Sequence, residues 1–83
     1  MLIFPKGFLK KVELLARGQS ITFEVDDSKY GLTRTNIRNQ ALGHNYFVQR
    51  YHSGIYSSYI DVVNPFTIQR AIDEITIREI HDA

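Results

Sequence analysis

The stretch Gln19-Ser20-Ile21-Thr22-Phe23-Glu24-Val25 alternates along its length. Ile21, Phe23 and Val25 fall on one side, and Ser20, Thr22 and Glu24 on the other, because successive strand side chains point to opposite faces. This pattern predicts a strand with one face in the core and one in water. Asp26-Asp27-Ser28 and Gly31 follow with turn chemistry and end it.

Working toward the N-terminus, Phe8, Val12 and Leu15 recur at helical spacing, with Leu9 and Ala16 beside them. Arg17 suits a last turn and Gly18 the position just past it, so a helix is predicted over about 8–17. Toward the C-terminus, Thr33 is a plausible N-cap, Ile37 and Ala41 lie four apart, and Gly43 is a terminator. These predict a helix over about 33–42. Tyr46 to His52 is aromatic and β-branched enough for a strand, Ser53-Gly54 signals a turn, and Ile55 to Val63 reads as the returning strand. A two-residue loop at 53–54 would set Phe47 opposite Ile60, Val48 opposite Tyr59, Arg50 opposite Ser57 and Tyr51 opposite Tyr56.

Asn64-Pro65 reads as a helix start, with Asn as cap and Pro in the first turn. Ile68, Ala71, Ile72 and Ile75 continue at helical spacing, whereas Ile75 and Ile77 also fit a short strand over 75–80. The expected order is α-β-α-β-β-α. It describes one α+β domain over residues 1–83, with helices on one face of a short, mainly antiparallel sheet.

Composition narrows the class. At 83 residues the chain has room for one core. With 43% hydrophobic residues and a net charge of +1, it can fold rather than stay disordered. It has no cysteine, which removes disulfides, thiolate metal sites and cysteine nucleophiles. A secreted domain of this size usually needs such a staple, so a cytoplasmic home is expected. No stretch is long and apolar enough to span a bilayer, and Met1-Leu2-Ile3-Phe4-Pro5 lacks the basic start of a signal peptide.

Near-neutral net charge hides an asymmetry. Residues 28–60 carry Lys29, Arg34, Arg38 and Arg50 and no acid, while residues 61–83 carry Asp61, Asp73, Glu74, Glu79 and Asp82 against Arg70 and Arg78. The acid-free span also holds every tyrosine: Tyr30, Tyr46, Tyr51, Tyr56 and Tyr59. Guanidinium groups grip phosphates bidentately, tyrosine rings stack on bases, and Asn and Gln read base edges. A nucleic-acid face is therefore expected, with Arg34 and Arg38 holding phosphates from helix 33–42. Arg50 with Tyr46 or Tyr59 would form a stacking sheet face, and Lys10 and Lys11 would widen the footprint. The same residue types equally furnish a protein interface. Chance also yields acid-free windows, and tyrosine is an ordinary strand residue. An exposed Tyr-rich strand edge could, thirdly, pair with a second copy as a homodimer.

Other chemistry is poorly represented. His44 and His52 lie eight apart with no acid near them in sequence, and His81 sits in the tail. Asp26 and Asp27 read as a turn, Ser57-Ser58 has no base at informative spacing, and Asp73-Glu74 reads as a solvated helix face. No metal site, cofactor or enzymatic activity is expected.

Gly18-Gln19-Ser20-Ile21-Thr22-Phe23 opening a strand, Arg34 and Ile37-Arg38 on a helix, and Phe47-Val48-Gln49-Arg50-Tyr51 on the next strand resemble short proteins encoded by phages and other mobile elements. The resemblance spans about residues 12–63. It departs at Ile60-Asp61-Val62-Val63-Asn64, where an aromatic-Arg ending is expected. It implies nucleic-acid handling or, as the alternative, an inhibitor or regulator that binds and blocks a host protein.

Overall fold

The computed structural model describes residues 4–36, 45–51 and 56–82. Its elements run α1 (Phe8–Glu13), β1 (Ser20–Val25), β2 (Ser28–Arg34), β3 (Tyr46–Arg50), β4 (Ser57–Ile60) and α2 (Pro65–Asp82). The four strands form one antiparallel sheet in the order β1-β2-β3-β4, a simple meander. The α+β class holds, but the order is α-β-β-β-β-α.

The difference from the expected order lies at Asp26-Asp27. Both residues have positive φ, 50° and 65°, and Val25 pairs with Ser28 across them. That is a two-residue hairpin whose central residues both need the left-handed region, which aspartate tolerates better than most residues. The turn therefore reverses the chain into a new strand. Gly31 lies inside β2 rather than in a turn, and Thr33 and Arg34 end β2 rather than begin a helix. Thr35 and Asn36 are not helical either, and residues 37–42 of the expected helix, with Arg38, fall outside the described residues.

Helix α1 ends at Glu13, not at 17. The chain beyond it is bound to the end of the sheet. The Ala16 amide donates to Gln19 Oε1 at 2.8 Å, the Gly18 amide donates to the Arg34 carbonyl at 2.8 Å, and Arg34 Nη1 donates to the Leu15 carbonyl at 2.7 Å. These bonds satisfy groups that another helical turn would have needed.

The expected start of α2 is borne out. Asn64 Oδ1 accepts from the amides of Phe66 and Thr67, both at 2.9 Å. Thr67 Oγ1 returns the favour by accepting from the Asn64 amide at 3.0 Å. This is a reciprocal capping box with threonine in the usual Glu/Gln place. The helix continues through 75–80, so the strand alternative there is excluded.

The β3–β4 register differs from expectation by one residue. Tyr46 faces Ile60, Phe47 faces Tyr59, Val48 faces Ser58 and Gln49 faces Ser57. A one-residue slip exchanges the two faces of a strand. Here the core decides it: Val48 and Ile60 are both fully buried and must share the helix-covered side, which the expected register would have denied them.

Among the described residues, the buried hydrophobic core occupies that side alone. Ile68, Ala71, Ile72 and Ile75 of α2 pack with Leu32, Val48 and Ile60. Each fully buried aliphatic side chain contributes roughly 1.5–3 kcal/mol. Helix α1 packs on the same side through an aromatic series. Phe4 stacks on Phe8 at 4.7 Å, Phe8 meets Phe23 edge-on at 5.6 Å, and Phe23 stacks on Tyr30 at 5.6 Å.

Candidate interaction surface

Strand parity assigns every sheet residue to a face. Phe23, Tyr30, Leu32, Val48 and Ile60 are buried beneath the helices. The cross-strand registers put Ile21, Arg34, Tyr46, Arg50 and Ser58 on that same side. The opposite side carries Ser20, Thr22 and Glu24 of β1, Lys29, Gly31 and Thr33 of β2, Phe47 and Gln49 of β3, and Ser57 and Tyr59 of β4. Among the described residues no helix covers it.

At the β4 edge of this open face Phe47 and Tyr59, directly opposite across β3–β4, meet edge-on with ring centroids 5.9 Å apart. Tyr59 is 43% exposed and Phe47 half-buried. Ser20 Oγ and Thr33 Oγ1 are hydrogen-bonded at 2.7 Å in the same cross-strand row. Thr22, Gly31, Gln49 and Ser57 form the next row, and Glu24 stands opposite Lys29 beyond them. The Lys29 ammonium lies 4.4 Å from the centroid of the exposed Tyr51 ring, a cation–π contact. Among its described strand residues the face is thus aromatic at its β4 edge, neutral and hydroxyl-rich across the next rows, and charged only at the Glu24–Lys29 end.

The expected site residues are divided by the sheet. Tyr59 lies on the open face. Arg50 and Tyr46 lie on the covered face, so Arg50 and Tyr59 do not form one stacking surface. Arg50 Nε and Nη2 both bond Glu79 Oε1 at 2.8 Å, and its guanidinium lies 5.2 Å from the Tyr30 ring centroid. The Glu79 hydrogen bond is the main cause that lifts the Arg50 pKa above the ordinary arginine value, against a smaller opposing effect of burial. Arg34 spends its Nη1 on the Leu15 carbonyl. Tyr46 is half-buried and lines a groove of about 270 Å³ with Leu9, Val12, Val62 and Val63. Lys10 and Lys11 are exposed on α1, which packs on the covered side. Arg38 is outside the described residues.

Acids missing from residues 28–60 are supplied to them by the C-terminal quarter. Glu79 takes Arg50, Glu74 takes the buried Ser58 hydroxyl at 2.5 Å, Asp82 takes the Tyr56 hydroxyl at 2.6 Å, and Asp61 takes the Asn45 amide. The bond to Asp82 raises the Tyr56 pKa, with smaller contributions from burial and from nearby negative charge. One cation of that span is thus neutralised by an acid of α2, and the other three acids hold neutral donors.

Phe47, half-buried on the open face beside Tyr59, was not among the residues expected to bind. Its signal was present in the alternation of Phe47 with Val48, but the expected β3–β4 register set it opposite Ile60, on the face away from Tyr59. Among the described residues, no three His, Asp or Glu side chains gather as a metal site would require, and no helix is long and apolar enough to cross a membrane. Comparison with protein-family models, curated proteins and solved structures finds no match.

Proposed function

We propose that this chain is a non-enzymatic protein-binding module, an inhibitor or regulator of phage or mobile-element origin, that engages a host protein through its open sheet face. The observation carrying this reading is the Phe47–Tyr59 pair set in a neutral, hydroxyl-rich surface that no described helix covers. Interface centres are depleted of charge and enriched in aromatic residues, with polar groups at the rim. A nucleic-acid site needs a cationic track beside its stacking rings. On this face Lys29 is opposed by Glu24, and Arg34 and Arg50 are committed on the other side. The resemblance to short mobile-element proteins, which implies nucleic-acid handling or an inhibitor, admits this reading, because an inhibitor needs a rigid adhesive face rather than a pocket.

The test pairs two measurements on the native chain and on the double variant Phe47→Ser/Tyr59→Ser, with circular dichroism to check the fold. Affinity capture from host cells should yield a defined protein with the native chain and lose it with the variant. Fluorescence anisotropy with single- and double-stranded DNA and RNA should show no binding at near-physiological salt. Micromolar nucleic-acid binding that disappears in the same variant would overturn the proposal and assign the face to a nucleic acid.

A further inference from the structure

The sheet has two edges, and they are treated differently. β4 is short, and Arg78 Nη1 donates at 2.8 Å to the Ser57 carbonyl. Short edge strands and charged side chains laid over the edge both discourage pairing with another chain. β1 is the other edge. It has six regular residues, SITFEV, without proline, lysine or bulge, and no described strand lies beyond it.

Backbone parity identifies which groups of β1 face outward. The Tyr51 amide donates to the Lys29 carbonyl, and the Thr35 amide to the Asn45 carbonyl. Odd-numbered residues of β2 therefore bond toward β3, and even-numbered ones toward β1. Their partners Ile21, Phe23 and Val25 point inward. This leaves the N–H and C=O groups of Ser20, Thr22 and Glu24 aimed away from the sheet.

We infer that β1 pairs antiparallel with β1 of a second copy, about a two-fold axis through Thr22 and perpendicular to the sheet. Only this register uses all three outward-facing residues. Thr22 meets Thr22 of the partner subunit, and Ser20 meets Glu24 of the partner subunit on either side, each pair exchanging two backbone hydrogen bonds. Ile21 then stands opposite Phe23 of the partner subunit on the covered face, which continues the core across the seam. No like charges face each other, because Glu24 meets a hydroxyl. A shift by one residue would turn a covered face against an open one. A shift by two sends an outward residue opposite Asp26 or Gly18, both at positive φ. The product is an eight-stranded sheet with both Phe47–Tyr59 pairs on the same surface. The inference does not depend on what that surface binds.

The chain has no cysteine, so a single introduced thiol reports the register. Paired Cα atoms across such a seam lie about 5.5 Å apart, within disulfide reach. Under mild oxidation Thr22→Cys should form a covalent dimer. Ser20→Cys alone should not, since its two copies sit on opposite sides of the axis. Ser20→Cys mixed with Glu24→Cys should again cross-link. By sedimentation, mass should rise with concentration from 9.6 kDa toward twice that value. Thr22→Pro removes an outward N–H that no strand of its own sheet uses, and should abolish the rise. If that variant fails to fold, Ser20→Glu, which sets carboxylates opposite each other, should weaken association about threefold to tenfold, and Ser20→Lys should strengthen it as much. A mass that stays at one chain up to millimolar concentration would overturn the inference. Equal cross-linking of Thr22→Cys and Ser20→Cys would do so as well.

Discussion

Replacing Arg50 tests whether it serves the fold or a ligand. Its guanidinium makes two 2.8 Å contacts to Glu79 Oε1 and lies over Tyr30, while the two charged side chains are 25% and 29% exposed. Fully exposed pairs are worth about 0.2–1 kcal/mol, and breaking a fully buried pair costs about 3–5 kcal/mol. At quarter exposure about 1.5 kcal/mol is expected, and the cation–π contact adds about 0.5 kcal/mol. Arg50→Ala should thus cost about 2 kcal/mol, lowering the melting temperature by roughly 8–16 °C in a domain of this size. Urea unfolding of Arg50→Ala, Glu79→Ala and the double variant should give a coupling energy of about 1 kcal/mol with an unchanged slope. The Arg50 pKa is raised, so its stabilising contribution is complete at every pH below the ordinary arginine value. It is lost only as pH climbs through the raised one, so Arg50 itself brings no pH dependence near neutrality. If Arg50→Ala unfolds within about 0.3 kcal/mol of the native chain, the structural role argued here is refuted, since additive error alone reaches that size.

Three other substitutions probe separate links. Tyr56 is held neutral by its bond to Asp82, so this contribution is present below the ordinary phenol value and is lost as pH rises through the raised one. Phenolate absorbance, assigned by difference from Tyr56→Phe, should show Asp82→Asn returning the midpoint toward the ordinary phenol value, and identical midpoints would refute the attribution. Asn64→Ala removes two 2.9 Å cap bonds and should destabilise by about 1 kcal/mol in urea. At Gly31 an added Cβ meets only Gln49 Cγ, at 4.0 Å. Gly31→Thr should therefore stabilise by about 0.5–1 kcal/mol in thermal melts, while its bulk on the open face should weaken capture of the partner. A loss of stability would show that the face is more crowded than its geometry implies.

What the sequence made legible follows the reach of each signal. Asn64-Pro65 and the run Ile68, Ala71, Ile72, Ile75 specify α2 locally, since a cap and a 3.6-residue stripe need nothing distant. Ile21, Phe23 and Val25 specify β1 for the same reason. β2 was concealed because Gly31 interrupts a short alternation of Tyr30 and Leu32, and because Thr33-Arg34 imitates a helix start. The competing fact is the hairpin at Asp26-Asp27, whose Asp-Asp pair lacks the glycine that usually marks such a turn. The site suffered more than the fold. The one-residue slip in the β3–β4 register exchanges the faces of β4 relative to β3, so Arg50 and Tyr46 were expected to share a surface with Tyr59, while Phe47 went unnoticed.

The charge pattern carries the larger argument. An acid-free, Arg- and Tyr-rich segment has the composition of a polyanion footprint. In this chain it is followed by a helix bearing the missing acids, and the fold brings the two together through Arg50–Glu79, Ser58–Glu74 and Tyr56–Asp82. A domain this small cannot seal its sheet with aliphatic side chains alone. Long amphipathic side chains close the margins: Arg50 covers Tyr30 with its polar end on α2, and Arg34 ties the Leu15 turn to the end of β2. Segregation of opposite charges between neighbouring segments is what such closure requires, because like charges within each segment stay apart in sequence from the groups that neutralise them. Unequal charge along a short chain therefore points outward only after its internal partners have been subtracted. Here that subtraction pairs Arg50 with Glu79 and sets Lys29 opposite Glu24, while Arg34 is held by a neutral main-chain carbonyl, and the uncharged Phe47–Tyr59 pair is left as a feature that these charge partners do not explain.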